Sequence, residues 1–339
     1  MKKVLATILA LVMALSLCSV SWAENEGVTT VDELTAAVAN GGEIKLAADI
    51  TLTSTLNLAK NVTIDGQGAY TIKAADNFTS GDSNNTACVL YVSATVTLKN
   101  VTVDGNEKCR VIFCNKGKLT IDGATITNGK APDIVGGFIG GVYMTSSASF
   151  EMNSGSIVGN KNVEQYQSDK YLQYSSDLWI GANATGALTA INGGTIDGVL
   201  KVRNSGKNVT ATLTINGGVF KKPIENNGVI NVADKGEMKA DVVFGVKGAS
   251  IAIAEGGSYE GNVKFAESDV VSSADVSVTA GNGGFTLAAG SIDFSGAVAE
   301  TEGNVITIVS GVAVVSDNYA VPAGMVIEVR NGASLTVAE

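Results

Sequence analysis

The 339-residue chain contains no histidine. That excludes imidazole catalysis, whether as a free acid or base or in a serine or cysteine nucleophile pair, and it excludes His-ligated metals. Cysteine is scarce, and with Cys18 inside the leader described below, only Cys88, Cys109 and Cys114 remain. Three is an odd number, so at least one thiol is free or paired outside the chain. The three read as small apolar fillers, and without histidine they offer no tetrahedral zinc set. A Cys109 to Cys114 bridge stays open only if the two do not lie along one strand. Proline occurs three times and aromatic residues make up 6% of the chain. Past the leader, arginine is limited to Arg110, Arg203 and Arg330, and no apolar run is long enough to span a membrane.

At the N-terminus, Lys2 and Lys3 precede an apolar stretch from Val4 to Leu17 and then Ser21-Trp22-Ala23. This is the pattern of a secretory signal peptide over residues 1–23, with cleavage expected after Ala23. Removing it leaves 21 basic against 33 acidic residues, a formal charge of −12. Such a balance disfavours nucleic acid and anionic membrane as partners. The product is expected to be secreted or held at the cell surface, without membrane insertion once the leader is gone.

What is abundant is glycine, at 40 residues, together with short runs of β-formers. One helix is expected in the segment 24–42: Thr30 and Glu33 form a capping box, Leu34, Ala37 and Val38 make an apolar stripe, and Gly41 stops it. Downstream the apolar period becomes two, as in Ile44, Leu46, then Ile50, Leu52, then Leu56, Leu58, then Val62, Ile64. A phrase then recurs in which a short strand meets an Asn/Asp/Gly turn, as in Leu119-Thr120-Ile121-Asp122-Gly123 and Ile191-Asn192-Gly193-Gly194-Thr195. The apolar residue before each turn gives ten markers: Ile64, Leu98, Ile121, Met152, Ile191, Ile215, Ile253, Leu287, Ile308 and Val329. Their spacing never falls below 21 residues and swells by insertions, which suits stacked coils of three short strands better than antiparallel sandwich modules. The span 43–315 is therefore read as solenoid, and 316–339 as C-terminal strands or its last coil. An end without a cap would expose a strand edge.

The entry helix, the Gly42-to-Leu52 run and the Asn-Gly-Gly-Thr turns resemble the right-handed parallel β-helix proteins of the pectin lyase-like superfamily. They are especially similar to its adhesin-like, catalytically silent bacterial surface members. The resemblance implies an all-β, right-handed parallel β-helix with a short N-terminal capping helix. It also implies what an enzyme of this superfamily would carry: an Asp-Asp pair, His-Gly and Arg-x-Lys in a polygalacturonase, or an Arg-x-Pro signature in a lyase. This chain has none of them.

No catalytic residue, cofactor or metal site is expected. The one contiguous cluster suited to a ligand is Tyr166, Asp169, Tyr171, Tyr174, Asp177 and Trp179, where rings can stack on sugars while carboxylates bond hydroxyls. The same aromatics could equally fold over an open coil edge. The oxygen-rich stretch from Asp76 to Thr86 reads as a solvated loop rather than a calcium site. The expectation is a surface binding or adhesion protein directed to extracellular polysaccharide or host glycan without turnover. The alternative is a polysaccharide lyase or glycoside hydrolase with a non-standard carboxylate/Lys site. The sequence leaves the oligomeric state open.

Overall fold

The computed structural model describes residues 27–337 apart from 82–86, 132–138, 163–176, 182–188, 204–210, 246–248, 255, 262, 266–276, 281–284, 287–291, 303–304 and 316–325. The leader and the cluster Tyr166, Asp169, Tyr171 and Tyr174 lie outside the described residues. Among the described residues one α-helix, Val31–Asn40, precedes a succession of short strands. Among the described residues no helix is long and apolar enough to cross a membrane.

The helix is set by its ends. Glu33 N–H donates to the Thr30 hydroxyl at 3.3 Å, Thr30 N–H returns a bond to Glu33 Oε2 at 3.2 Å, and Gly41 takes φ +83° to leave the helix. Leu34 and Val38 are buried against the first coil, so the helix covers the apolar N-terminal end of the stack.

The strands form a parallel β-helix with three faces. The first face runs from Gly42–Lys45 through Val62–Asp65, Val96–Lys99, Gly117–Asp122 and Ala148–Met152, and on to Ser277–Ala280. The second begins at Ile50–Ser54 and Thr71–Thr79, and the third at Leu56–Leu58 and Cys88–Val92. One column of the first face stacks Ile44, Ile64, Leu98, Ile121, Met152, Ile191, Ile215, Val232 and Ile253 in register, all buried. Each such side chain contributes about 1.5–3 kcal/mol by leaving water, a gain available only when coils stack. Seven of the ten sequence markers fall in this column. The 38-residue gap between Ile215 and Ile253 conceals a coil, because Val232 sits between them without an Asn-Gly-Gly turn.

At one corner the turn asparagines stack as well. Asn192 Nδ2 donates to Asn153 Oδ1 and Asn216 Nδ2 to Asn192 Oδ1, each at 2.7 Å. Turn amides thus satisfy one another coil by coil instead of facing outward unpaired.

Another corner is closed by backbone contact. A Cβ placed on Gly129 would lie 2.0 Å from the Gly140 carbonyl oxygen and 2.7 Å from Val111 Cγ2. Backbone cannot yield as a flexible side chain can. Gly129→Ala is therefore expected to lower unfolding free energy by about 3 kcal/mol in urea denaturation, whereas a substitution at Gly68, around which space is open, acts only through its left-handed φ.

The end of the chain departs from parallel stacking. Ile292–Glu302 and Val305–Val315, eleven residues each, pair antiparallel inside the span read as coils. Both runs are long for a coil. Val326–Val329 and Ala333–Val337 then lie parallel along Val305–Val315. Val329, Leu335 and Val337 remain 36–62% exposed there.

Candidate functional site

The third face carries its distinctive residues on the outside. Its strands repeat an aliphatic–aromatic–aliphatic triplet: Leu90-Tyr91-Val92, Ile112-Phe113-Cys114, Val142-Tyr143-Met144 and Leu178-Trp179-Ile180. The flanking residues point into the core and are buried, so the central ring points outward. Parallel register places the four rings directly above one another. Tyr91 and Phe113 stack at 5.8 Å, Phe113 and Tyr143 at 5.1 Å, and Tyr143 and Trp179 at 5.6 Å, with interplanar angles of 6–12°.

Cations border this ladder. The Arg110 guanidinium lies 4.9 Å from the centre of the Tyr143 ring and 5.5 Å from that of Phe113, and its Nε donates to the Ile139 carbonyl. Burial pulls the Arg110 pKa down to about 10, which leaves it charged at neutral pH. Lys201 Nζ and Arg203 Cζ lie 5.2 and 5.1 Å from the Trp179 ring centre. Lys201 in turn donates to Glu225 Oε1 at 2.7 Å, both side chains being almost wholly buried. Burial pushes the Glu225 carboxyl up and the Lys201 ammonium down, and each is opposed by the charge of the other.

At the opposite end of the ladder the rung beside Tyr91 is Asn57. Here a hollow of about 460 Å³ is lined by Ser54, Thr55, Asn57, Thr79, Ser80, Gly81 and Tyr91. A register shift makes it. Leu52 pairs with Ala74, but Ser54, two residues on, pairs with Thr79, so Ala75 to Phe78 arch out of the ladder. Thr55 Oγ1 donates to the Cys88 carbonyl at 2.7 Å and ties the rim to the next coil. A second hollow of about 500 Å³, between the helix and the first coil, shares Ser54, Thr55 and Asn57 and adds Lys60.

Of the sequence candidates, Asp177 and Trp179 lie among the described residues. Trp179 is the last ring of the ladder and only 5% exposed. Asp177 is fully buried, its Oδ1 accepting from Asn160 Nδ2 at 2.8 Å and its Oδ2 from Gly198 N–H at 2.5 Å. Asp76, in the oxygen-rich stretch, accepts from Asn106 Nδ2 and pairs with Lys108. Cys88, Cys109 and Cys114 are not joined by disulfides and are buried, and burial pushes each thiol up to about 12, where thiolate chemistry is suppressed. Among the described residues no three acidic or cysteine side chains converge as a metal site. Carboxylates are matched instead with lysines on nearby coils, as in Asp65–Lys99 at 3.2 Å and Glu151–Lys118 at 2.5 Å.

Sequence reasoning missed Tyr91, Phe113 and Tyr143 because the rings lie 22, 30 and 36 residues apart. The signal that could have found them was the aliphatic–aromatic–aliphatic triplet, once per coil. Comparison with curated proteins and with solved structures gives no match to this chain. Residues 25–134, which hold the helix, the hollow and the first two rings of the ladder, match the model of one family, described as "Putative pectate lyase-like adhesive domain".

Proposed function

We propose that the protein is an extracellular or surface-displayed adhesive β-helix that binds glycan and does not turn it over. The observation that carries this reading is the hollow at the end of the ring ladder. It offers hydroxyls and an amide, the Thr55 hydroxyl as an acceptor since its proton goes to the Cys88 carbonyl, beside an aromatic ring whose orientation is held by three rings stacked behind it. That is the equipment a sugar needs: a face to stack on and partners for its hydroxyls. Among the described residues the lining contains no carboxylate to serve as acid, base or nucleophile. The family description, which names an adhesive domain, covers the coils that build the hollow. The leader read from the sequence supplies the route out of the cell.

The enzymatic alternative has one specific feature in its favour, the buried Lys201–Glu225 pair beside Trp179. Lys201 and Glu225 are only 8% and 3% exposed, which keeps a polymer from reaching them. A glycan array probed with the purified protein is expected to show retention. Pectin-type polymers incubated with it are expected to release neither reducing ends nor unsaturated uronates. Turnover that disappears in Glu225→Gln or Lys201→Met would sink the adhesive reading.

A further inference from the structure

We infer that the hollow beside Tyr91 takes a neutral sugar unit in preference to a uronate or another acidic sugar. The inference rests on the glycan-binding reading and specifies its ligand class. The lining residues among the described ones are uncharged: Ser54, Thr55, Asn57, Thr79, Ser80, Gly81 and Tyr91. A carboxylate is acceptor-only and loses its water on entry, so a site for acidic sugars needs a cation, usually a forked arginine, to replace that hydration. Among the described residues none is placed to do so. Arg110 is enclosed in the ladder with its Nε on the Ile139 carbonyl, Arg203 sits at Trp179 three rungs beyond Tyr91, and Arg330 pairs with Glu300 at the far end of the chain. Lys60 belongs to the neighbouring hollow. The formal charge of −12 left after the leader adds a repulsive field against any polyanion at low salt.

A neutral pyranose meets each requirement. Tyr91 gives one ring face to Phe113, and its next neighbour along the stack is Asn57, an exposed polar residue in the wall of the hollow. A sugar resting its C–H face on Tyr91 lies beside Asn57, which holds the next rung. Its hydroxyls, donors and acceptors both, then face Ser54, Thr55, Asn57, Thr79 and Ser80.

The test uses the whole protein on immobilised mannan, galactan, xylan and β-glucan, and on polygalacturonate and hyaluronan, at low and high salt. At least one neutral polymer is expected to bind about tenfold more tightly than either acidic one, with little dependence on salt. Tyr91→Ala should weaken that binding about tenfold and Tyr91→Phe by less than about threefold, with β-sheet circular dichroism unchanged in both. Preference for the acidic polymers, weakening with salt, overturns the inference while glycan binding itself stands. Neutral binding that ignores Tyr91→Ala overturns the placement at this hollow. Retention of no polymer of either class overturns the glycan-binding reading, and this inference with it.

Discussion

Glu225→Gln is expected to lower the unfolding free energy by about 3–5 kcal/mol, the largest effect of any single exchange on the third face. The two side chains are nearly the same size, so the cost is electrostatic. Glu225 Oε1 accepts from Lys201 Nζ at 2.7 Å and from Asn227 Nδ2 at 3.1 Å, in a region where both charged residues are less than a tenth exposed. Without the carboxylate the ammonium must stay charged in a low-dielectric setting or release its proton below its usual range. Burial already pushes Lys201 in that direction, and Arg203 adds repulsion. The pair itself is no stability device, since desolvating two ions offsets most of their attraction. The double variant Lys201→Met, Glu225→Leu should therefore regain most of what Glu225→Gln loses. A coupling energy above about 2 kcal/mol in the cycle with Lys201→Met and Glu225→Leu is the expected result of chemical denaturation. A loss under about 1 kcal/mol for Glu225→Gln would show that water reaches the pair, and with it the route that an enzymatic reading needs.

The solenoid was legible because its signal is additive along the chain. Ile64, Leu98, Ile121, Met152, Ile191 and Ile215 each precede a recognisable turn, and stacking only requires that they recur. The capping helix was legible because Thr30, Glu33 and Gly41 act locally, within a few residues of one another. The hollow and the ring ladder are properties of register. Tyr91 meets Asn57 and Phe113 only once the insertion of Ala75 to Phe78 and the coil lengths are known, and one slipped residue turns every ring inward. Contiguity therefore drew attention to Tyr166, Tyr171 and Tyr174, whereas the rings that stack are contributed one per coil. The same limit applies to Asp177, whose partners Asn160 and Gly198 lie 17 and 21 residues away. In sequence it is one more acid beside a tryptophan. Its burial at the root of the Trp179 strand could only be seen in coordinates.

Asp177 should also give the protein a pH-dependent stability of unusual sign. Burial raises its carboxyl from 3.8 to about 6, Asp197 adds to the rise, and the bonds from Asn160 and Gly198 hold it partly back. The folded state therefore binds a proton more tightly than the unfolded chain does. Below about pH 4 both states are protonated at this position and the stabilisation is complete. As pH rises through the interval from about 4 to about 6 the unfolded chain releases the proton first, and stability falls until the folded carboxyl has also ionised. Roughly two pH units at about 1.36 kcal/mol each place the fall near 3 kcal/mol. Paired carboxylates such as Glu151, held below their usual range by lysine, act in the opposite sense, so the whole-protein profile mixes the two. The contribution is isolated by comparison with Asp177→Asn. That variant forfeits the bond from Gly198 N–H at every pH, a constant offset, but it has no proton to lose. Urea unfolding followed by fluorescence of Trp179, two residues along the chain, should show wild type losing about 3 kcal/mol relative to Asp177→Asn between pH 4 and pH 7. Parallel profiles for the two proteins would mean that the carboxyl is hydrated in the folded state, and that this end of the ladder opens to solvent.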